Sequence, residues 1–175
     1  MKDFPYLKTE RLFFTPLRLS DAEVILFMRS DPEVNKYIPR EPSVHLSQAT
    51  DFIKMIRKNF EDGISTGWGL RLQKDGELIG SICLWNFSED RKTAELGYDL
   101  HPRYQGKGLM SEAVKEIIKY GSDVLKLDQI EAFTHQHNDA SIRVLQNNGF
   151  QLNENRKDDE VFDNLIFELK EMPKN

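Results

Sequence analysis

The chain has 175 residues and a mass of 20.4 kDa, enough for one sizeable core and short of two. Its net charge of −5 and pI near 5.4 argue against a nucleic-acid binder, which needs a basic face to displace counterions from phosphates, and make a cationic substrate easier to attract. No apolar run approaches the roughly eighteen residues of a membrane span, and Met1-Lys2-Asp3 is unlike a signal peptide, so a cytoplasmic protein with no membrane partner is expected. The lone cysteine, Cys83, cannot form an internal disulfide, in keeping with a reducing compartment; within Ile82-Cys83-Leu84-Trp85 it reads as a small core residue.

Taken in order, Thr9 to Leu19 reads as a first strand, with Pro16 implying an edge or a bulge. Ser20 and Glu23 have the spacing of a capping box for a helix whose stripe is Val24, Phe27 and Met28, stopped at Asp31-Pro32. Asn35 to His45, with Pro39 and Pro42, is a loop that serves either as a pocket wall or as a plain connector. Ser47 to Glu61 is a second helix with Ala49, Phe52, Ile53, Ile56 and Phe60 on one side, ended by Asp62-Gly63. Strands over Thr66–Lys74, Leu78–Phe87 and Thr93–Leu100 follow as an antiparallel meander, turned at Asp75-Gly76 and at Ser88-Glu89-Asp90. Trp68, Trp85 and Phe87 on this meander read mostly as core, with one free to wall a pocket.

The stretch from Thr93 to Leu125 is the most informative. Ala94, Leu96, Tyr98 and Leu100 alternate with Glu95, Gly97 and Asp99, the period of a half-buried strand. Met110, Ala113, Val114, Ile117, Ile118, Gly121, Val124 and Leu125 then recur at three and four, the buried face of a helix. Between them lies Arg103-Tyr104-Gln105-Gly106-Lys107-Gly108, whose glycines permit a close turn and leave the first helical amides directed outward, where an anion fits the free N–H groups and the helix dipole. A P-loop would need four residues between its first glycine and Gly-Lys-Ser/Thr, and a Rossmann fingerprint would need a third glycine; Gly106-Lys107-Gly108-Leu109 supplies neither.

Gln129 to Thr134 reads as a strand parallel to the Ala94 strand through a right-handed crossover. Asn138 to Asn148 is a helix with Gly149 as its left-handed cap, and Phe150–Asn153 and Val161–Leu169 are closing strands around the polar turn Glu154–Glu160. From Glu171 on, a frayed end is expected. His135 and His137 invite a metal reading, yet no third ligand or cysteine cluster accompanies them, so they read as structural or substrate-facing and no metal is expected. There is no internal repeat or linker.

This element order, with Arg103, Gly106 and Gly108 meeting the pattern Arg/Gln-x-x-Gly-x-Gly/Ala, resembles the GCN5-related N-acetyltransferase (GNAT) superfamily. Thr9-Glu10-Arg11-Leu12, Gly97-Tyr98, Ser111-Glu112-Ala113, Asn138-x-x-Ser141 and Gly149-Phe150 look like the branch containing the ribosomal-protein N-terminal acetyltransferases. The resemblance covers residues 9 to 170 as a single N-acetyltransferase domain. It implies an α/β (α+β) fold: a mixed, mostly antiparallel sheet of about seven strands, about four flanking helices and a splayed parallel strand pair.

It also implies acetyl-CoA as co-substrate. Its pyrophosphate would sit on Arg103, Tyr104, Gln105, Gly106, Lys107 and Gly108 with Leu109 and Met110. Its pantetheine would pair with the main chain of Tyr98, Asp99, Leu100 and His101 and meet the side chain of Asn138, which can also cap its helix. Acetyl transfer to an amine needs a neutral amine, a stabilised oxyanion and a departing thiolate. Glu95 holds the position of the family's base. A carboxylate near 4.3 suits an α-ammonium near 8 better than a lysine near 10.4, so burial, a water relay or a partly neutral substrate must close the gap. Where many relatives carry a tyrosine acid this chain has Leu145, which moves attention to Ser141; Arg143 reads as solvent-facing. The resemblance therefore implies an N-acetyltransferase acting on a primary amine, a protein N-terminal α-amine being one option and a polyamine, antibiotic or amino acid others, with a non-catalytic acyl-CoA-binding module as the rival. Homodimers are frequent in such families, and the sequence leaves the oligomeric state open.

Overall fold

The computed structural model describes residues 3–170 and Met172. In chain order the elements are β1 (Leu7–Lys8), β2 (Phe13–Thr15), a 3₁₀ turn (Leu19–Asp21), α1 (Ala22–Ser30), α2 (Leu46–Glu61), β3 (Thr66–Arg71), β4 (Gly80–Trp85), β5 (Thr93–Leu100), a second 3₁₀ turn (Pro102–Tyr104), α3 (Leu109–Asp123), β6 (Gln129–His135), α4 (Asp139–Asn147), β7 (Gln151–Leu152) and β8 (Asn164–Leu169). The strands form an eight-stranded sheet in the order β1-β2-β3-β4-β5-β6-β8-β7, with β5 and β6 as its parallel pair. This is the expected mixed sheet with four α-helices, one strand richer because β1 precedes the predicted first strand, of which only Phe13–Thr15 forms as β2. The chain divides into two compact units, Met1–Cys83 with Tyr98–Leu109, and Leu84–Gly97 with Met110–Asn175.

In the first unit, β1 pairs with β2 (Leu7↔Phe14, Lys8↔Phe13) and β2 with β3 (Phe13↔Arg71, Phe14↔Leu70, Thr15↔Gly69), all antiparallel. The predicted strand from Thr9 breaks because Thr9 N donates to Leu12 O at 2.9 Å and Leu12 N to Thr9 Oγ1 at 3.1 Å, closing a local turn that competes with extension. The expected Ser20–Glu23 capping box is replaced: Arg18 N donates to Asp21 Oδ2 at 2.7 Å, and the 3₁₀ turn runs into α1. Asp21 takes this place because it also faces Arg71, which no local pattern reveals. Leu17, Ala22, Ile25, Ala49, Ile53 and Leu78 form a core cluster, to which α1 gives Ala22 and Ile25 in place of the predicted Val24, Phe27 and Met28 stripe; Val24 packs against it part-buried and Phe27 is exposed. A fully buried aliphatic of this kind contributes about 2 kcal/mol. Gly69 gives close packing at this seam, since a Cβ there would stand 2.8 Å from the end of the Leu78 side chain and 3.1 Å from that of Leu17. Trp68 is fully buried, its Nε1 donating to Pro5 O at 2.8 Å.

In the second unit the parallel ladder pairs Thr93↔Gln129, Ala94↔Ile130 and Glu95↔Glu131, while β6 pairs antiparallel with β8 from Ile130↔Leu169 to His135↔Asn164. β7 adds Gln151↔Glu168 and Leu152↔Phe167. Met110, Ala113, Val114, Ile117 and Ile118 are buried as their spacing predicts. Val124 is instead 60% exposed: α3 ends at Asp123, Lys126 turns the chain with φ 56°, and Leu127 takes the buried place. A Cβ at Gly121 would meet Ile130 and Leu127 at 3.2 Å each, so α3 lies close to β6 there. Gly149 ends α4 with φ 84°, as expected of a left-handed cap. Trp85 and Phe87 are not core; Trp85 is exposed, on the outward phase of β4, and Phe87 is half-buried beneath the Arg91 guanidinium. The expected frayed end falls on Glu171 and residues 173–175, outside the described residues, while Met172 is buried.

Candidate active site

Strand β5 keeps the predicted alternation: Ala94, Leu96 and Leu100 are buried, and Glu95, Gly97 and Asp99 are half-buried. Tyr98 is half-buried as well. Within the first unit, Ser81 Oγ donates to Asp99 Oδ1 at 2.6 Å. Burial pushes the Asp99 carboxyl up, against the pull of that bond and of the Arg40 and Arg29 charges. Burial likewise lowers both arginines, opposed by Asp99. Arg29 lies over the Phe52 ring at 4.1 Å, and Arg40 donates to Asn35 and to Met28 O. Asp99 is thus a side chain held for structure, and only its main chain remains for the contact the family resemblance implies.

The turn after β5 is built by its own side chains. His101 N donates to Ile79 O at 2.8 Å, and His101 Nδ1 accepts from Arg103 N at 3.2 Å. The ring stacks on Phe27 with centroids 4.7 Å apart. Tyr104 Oη donates to Glu77 at 2.6 Å, Gln105 Nε2 to Leu100 O at 2.9 Å, and Lys107 Nζ to Arg103 O at 2.9 Å. With these side chains bonded within the turn and to its neighbours, the exposed glycines leave the backbone accessible. Gly106 and Gly108 both have φ +73°, a region only glycine enters freely. Nothing lies within 4 Å of a Cβ built on Gly106. Among the described residues, no backbone bond is recorded from the amides of Gly106, Lys107 or Gly108, and α3 starts at Leu109. Unpaired amides at a helix start favour an anion, and a pyrophosphate fits that requirement.

One residue of this turn was not among the sequence candidates. Arg11 Nη1 donates to Lys107 O at 2.9 Å, and its Nη2 would stand 3.6 Å from a Cβ on Gly108. It fixes the peptide between the two glycines and brings a cation beside the cradle. Thr9-Glu10-Arg11-Leu12 marked the residue, but only the fold brings it 96 positions along the chain.

In the second unit Glu95 accepts a hydrogen bond from Asn86 Nδ2 at 3.2 Å. Asn86 has φ 46°, a conformation asparagine tolerates, placed just past β4. Burial pushes the Glu95 carboxyl up to about 6, eased by the Asn86 bond and reinforced by the charges of Asp158, Glu131 and Glu160. Asn138 Oδ1 accepts from Ser141 N at 3.2 Å, so the cap and the serine are brought together at the start of α4. Ser141 is half-buried, Arg143 is exposed, and Leu145 is wholly buried, a core residue where a tyrosine acid would otherwise stand. His135 and His137 rings lie 5.4 Å apart, His137 N donates to His135 Nδ1, and His135 faces Asp163 at 3.9 Å. No group of three or more metal-binding side chains occurs among the described residues. Nor is any helix among them long and apolar enough to cross a membrane.

The family model described as an acetyltransferase (GNAT) domain matches residues 11–151. An uncharacterized N-acetyltransferase, p20 of Bacillus licheniformis, is 38% identical over 145 residues, covering 83% of this chain and 82% of that protein. The putative ribosomal N-acetyltransferase YdaF of Bacillus subtilis (strain 168) is 27% identical over 147 residues, covering 81% and 78%. The crystal structure of a GNAT-family acetyltransferase from Bacillus anthracis superposes with a TM-score of 0.80 at 26% identity, over 95% of this chain and 98% of that one. The glycine turn, the parallel strand pair and these matches agree, and the chain belongs to the GNAT family of acetyltransferases as an N-acetyltransferase.

Proposed function

We propose that the protein moves an acetyl group directly from acetyl-CoA to a primary amine, both substrates bound together, with residues 9–170 working as one catalytic domain. The observation that carries this reading is the exposed Gly106–Gly108 turn, its amides unpaired among the described residues at the start of a fifteen-residue helix. On this reading the amides of Gly106 to Met110 hold the pyrophosphate, with Arg103 nearby and Arg11 steadying the turn from Lys107 O. The main chain of Tyr98, Asp99, Leu100 and His101 lines the pantetheine arm. Asn138 meets that arm while keeping its cap, and the Ser141 hydroxyl hydrogen-bonds the departing thiolate.

Glu95 takes the amine proton. Ionised above about pH 6, it lies roughly two units below an α-ammonium near 8 and over four below a lysine ammonium near 10.4. That difference supports a protein N-terminal α-amine as acceptor. A small-molecule polycation is the second reading, favoured by the acidic groups Asp158, Glu131 and Glu160 around Glu95, which would attract one.

Thiol release from acetyl-CoA, measured across peptides with free and blocked N-termini, spermidine and an aminoglycoside, tests the proposal. Turnover on peptides with free N-termini and little on blocked ones containing lysine supports the first acceptor. Turnover on spermidine or the aminoglycoside alone selects the second. Binding of CoA with no turnover on any amine would reduce the protein to an acyl-CoA-binding module.

A further inference from the structure

We propose that Glu131 is a positioning residue for the proton-transfer step: bonded by Arg156, it stands beside Glu95 and sets that group's affinity for the proton. The inference rests on Glu95 being the base. Residues paired in register point to the same face of a sheet, on strands about 4.8 Å apart. The pairs Glu95↔Glu131 and Glu131↔Glu168 therefore put three carboxylates in a row across β5, β6 and β8. Like charges directly opposite one another are unfavourable, so such a row needs compensation.

Two of its members have it. Arg156, from the loop between β7 and β8, donates through Nη1 to Oε1 of both Glu131 and Glu168, and through Nη2 to Glu131 Oε2 at 3.2 Å. Lys170 Nζ reaches Glu168 Oε2 at 2.7 Å, and Gln129 Nε2 donates to Glu131 at 2.7 Å. Glu95 has no recorded ion pair among the described residues; its partner is the neutral Asn86 amide. The charged groups acting on it are Glu131 from β6 and Asp158 and Glu160 from the β7–β8 loop, all negative. The arrangement shares one guanidinium between two carboxylates, which keeps that group net negative beside the third, where a proton is held more tightly.

The test uses the full chain without bound acceptor. The Glu95 carboxyl is assigned by its loss in Glu95→Gln and titrated by carbon-13 NMR, in parallel with the pH profile of kcat/KM. Glu131→Gln, which still accepts from Arg156 and Gln129, should lower the Glu95 midpoint by roughly half a pH unit or more, and the acidic limb of kcat/KM should move with it. Glu168→Gln, one strand farther away, should move both by less, and Glu131→Asp, which keeps the charge, should restore the parental profile. A Glu95 midpoint unchanged in Glu131→Gln overturns the inference. A midpoint that moves while the kinetic limb stays supports the coupling and overturns Glu95 as the base.

Discussion

Two clusters of carboxylates and arginine divide the work of this molecule differently. Asp21 and Arg71 are paired one to one at 2.6 Å, with side chains 5% and 1% exposed. Arg71 spends its remaining donors on Thr15 Oγ1 and Gly76 O, both at 2.9 Å. Asp21 also accepts from Arg18 N. The row Glu95, Glu131, Glu168 is served by Arg156, whose side chain is 44% exposed, with Lys170 at the Glu168 end. A balanced and fully bonded pair ties β2, β3 and the entry to α1 into one position. An unbalanced row leaves a carboxylate whose proton affinity is raised into the range where proton transfer is useful.

The largest expected effect comes from the unbalanced side. Glu95→Gln should cut kcat by about 10²- to 10⁴-fold, the usual contribution of a general base, with CoA affinity unchanged in an equilibrium binding assay. Because folding raises the Glu95 carboxyl, its contribution to stability is full below its ordinary value of 4.5 and is lost as pH rises through about 6. The uncharged glutamine should therefore make the protein more resistant to urea than the parent above pH 6, while activity falls. Parental kcat in this variant would remove Glu95 from the chemistry.

On the balanced side, Arg71→Met should cost about 3–5 kcal/mol of unfolding free energy by leaving Asp21 buried without its cation. The double change Asp21→Asn with Arg71→Met should recover part of the loss, since no unpaired charge then remains. A loss in Arg71→Met below about 1 kcal/mol would mean that the pair is not the pin its burial indicates.

Sequence periodicity makes β5, α2, α3 and the glycine turn legible because each is a local pattern: alternation, a three-and-four stripe, two glycines ahead of a helix. Its misreadings share a cause. Ser20 has the better spacing for a cap, but Asp21 wins through Arg71, fifty positions away. Val124 continues the α3 stripe on paper, and the helix ends before reaching it. Trp85 is as apolar as Trp68, and only its phase on β4 exposes it. Of the site, Glu95 and Asn138 stand out by position, whereas Arg11 at Lys107 O and the alignment of Glu131 and Glu168 with Glu95 arise from strand register and chain return, which no window of sequence contains.

The smallest expected effect is the one that separates the two clusters most sharply. Arg156→Met removes the cation shared by Glu131 and Glu168, yet with a side chain 44% exposed it should cost less than about 1 kcal/mol at neutral pH. That loss should fade in acid, where Glu168 is protonated in both proteins. Burial by itself would push the Glu168 carboxyl up, but bonds from Lys170, Asn153 and Arg156 outweigh it and hold the group at about 2. With the folded value depressed, Glu168 stabilises the fold above its ordinary 4.5 and loses that contribution as pH falls through about 2. Without Arg156, the Lys170 and Asn153 bonds remain but the depression is smaller, so the gap in urea stability between variant and parent, followed by circular dichroism, should narrow as pH falls from about 5 toward 2. Should Arg156→Met instead match the neutral-pH loss of Arg71→Met, the row would be a structural pin like the buried pair, and the latitude that leaves Glu95 protonatable near pH 6 would need another source.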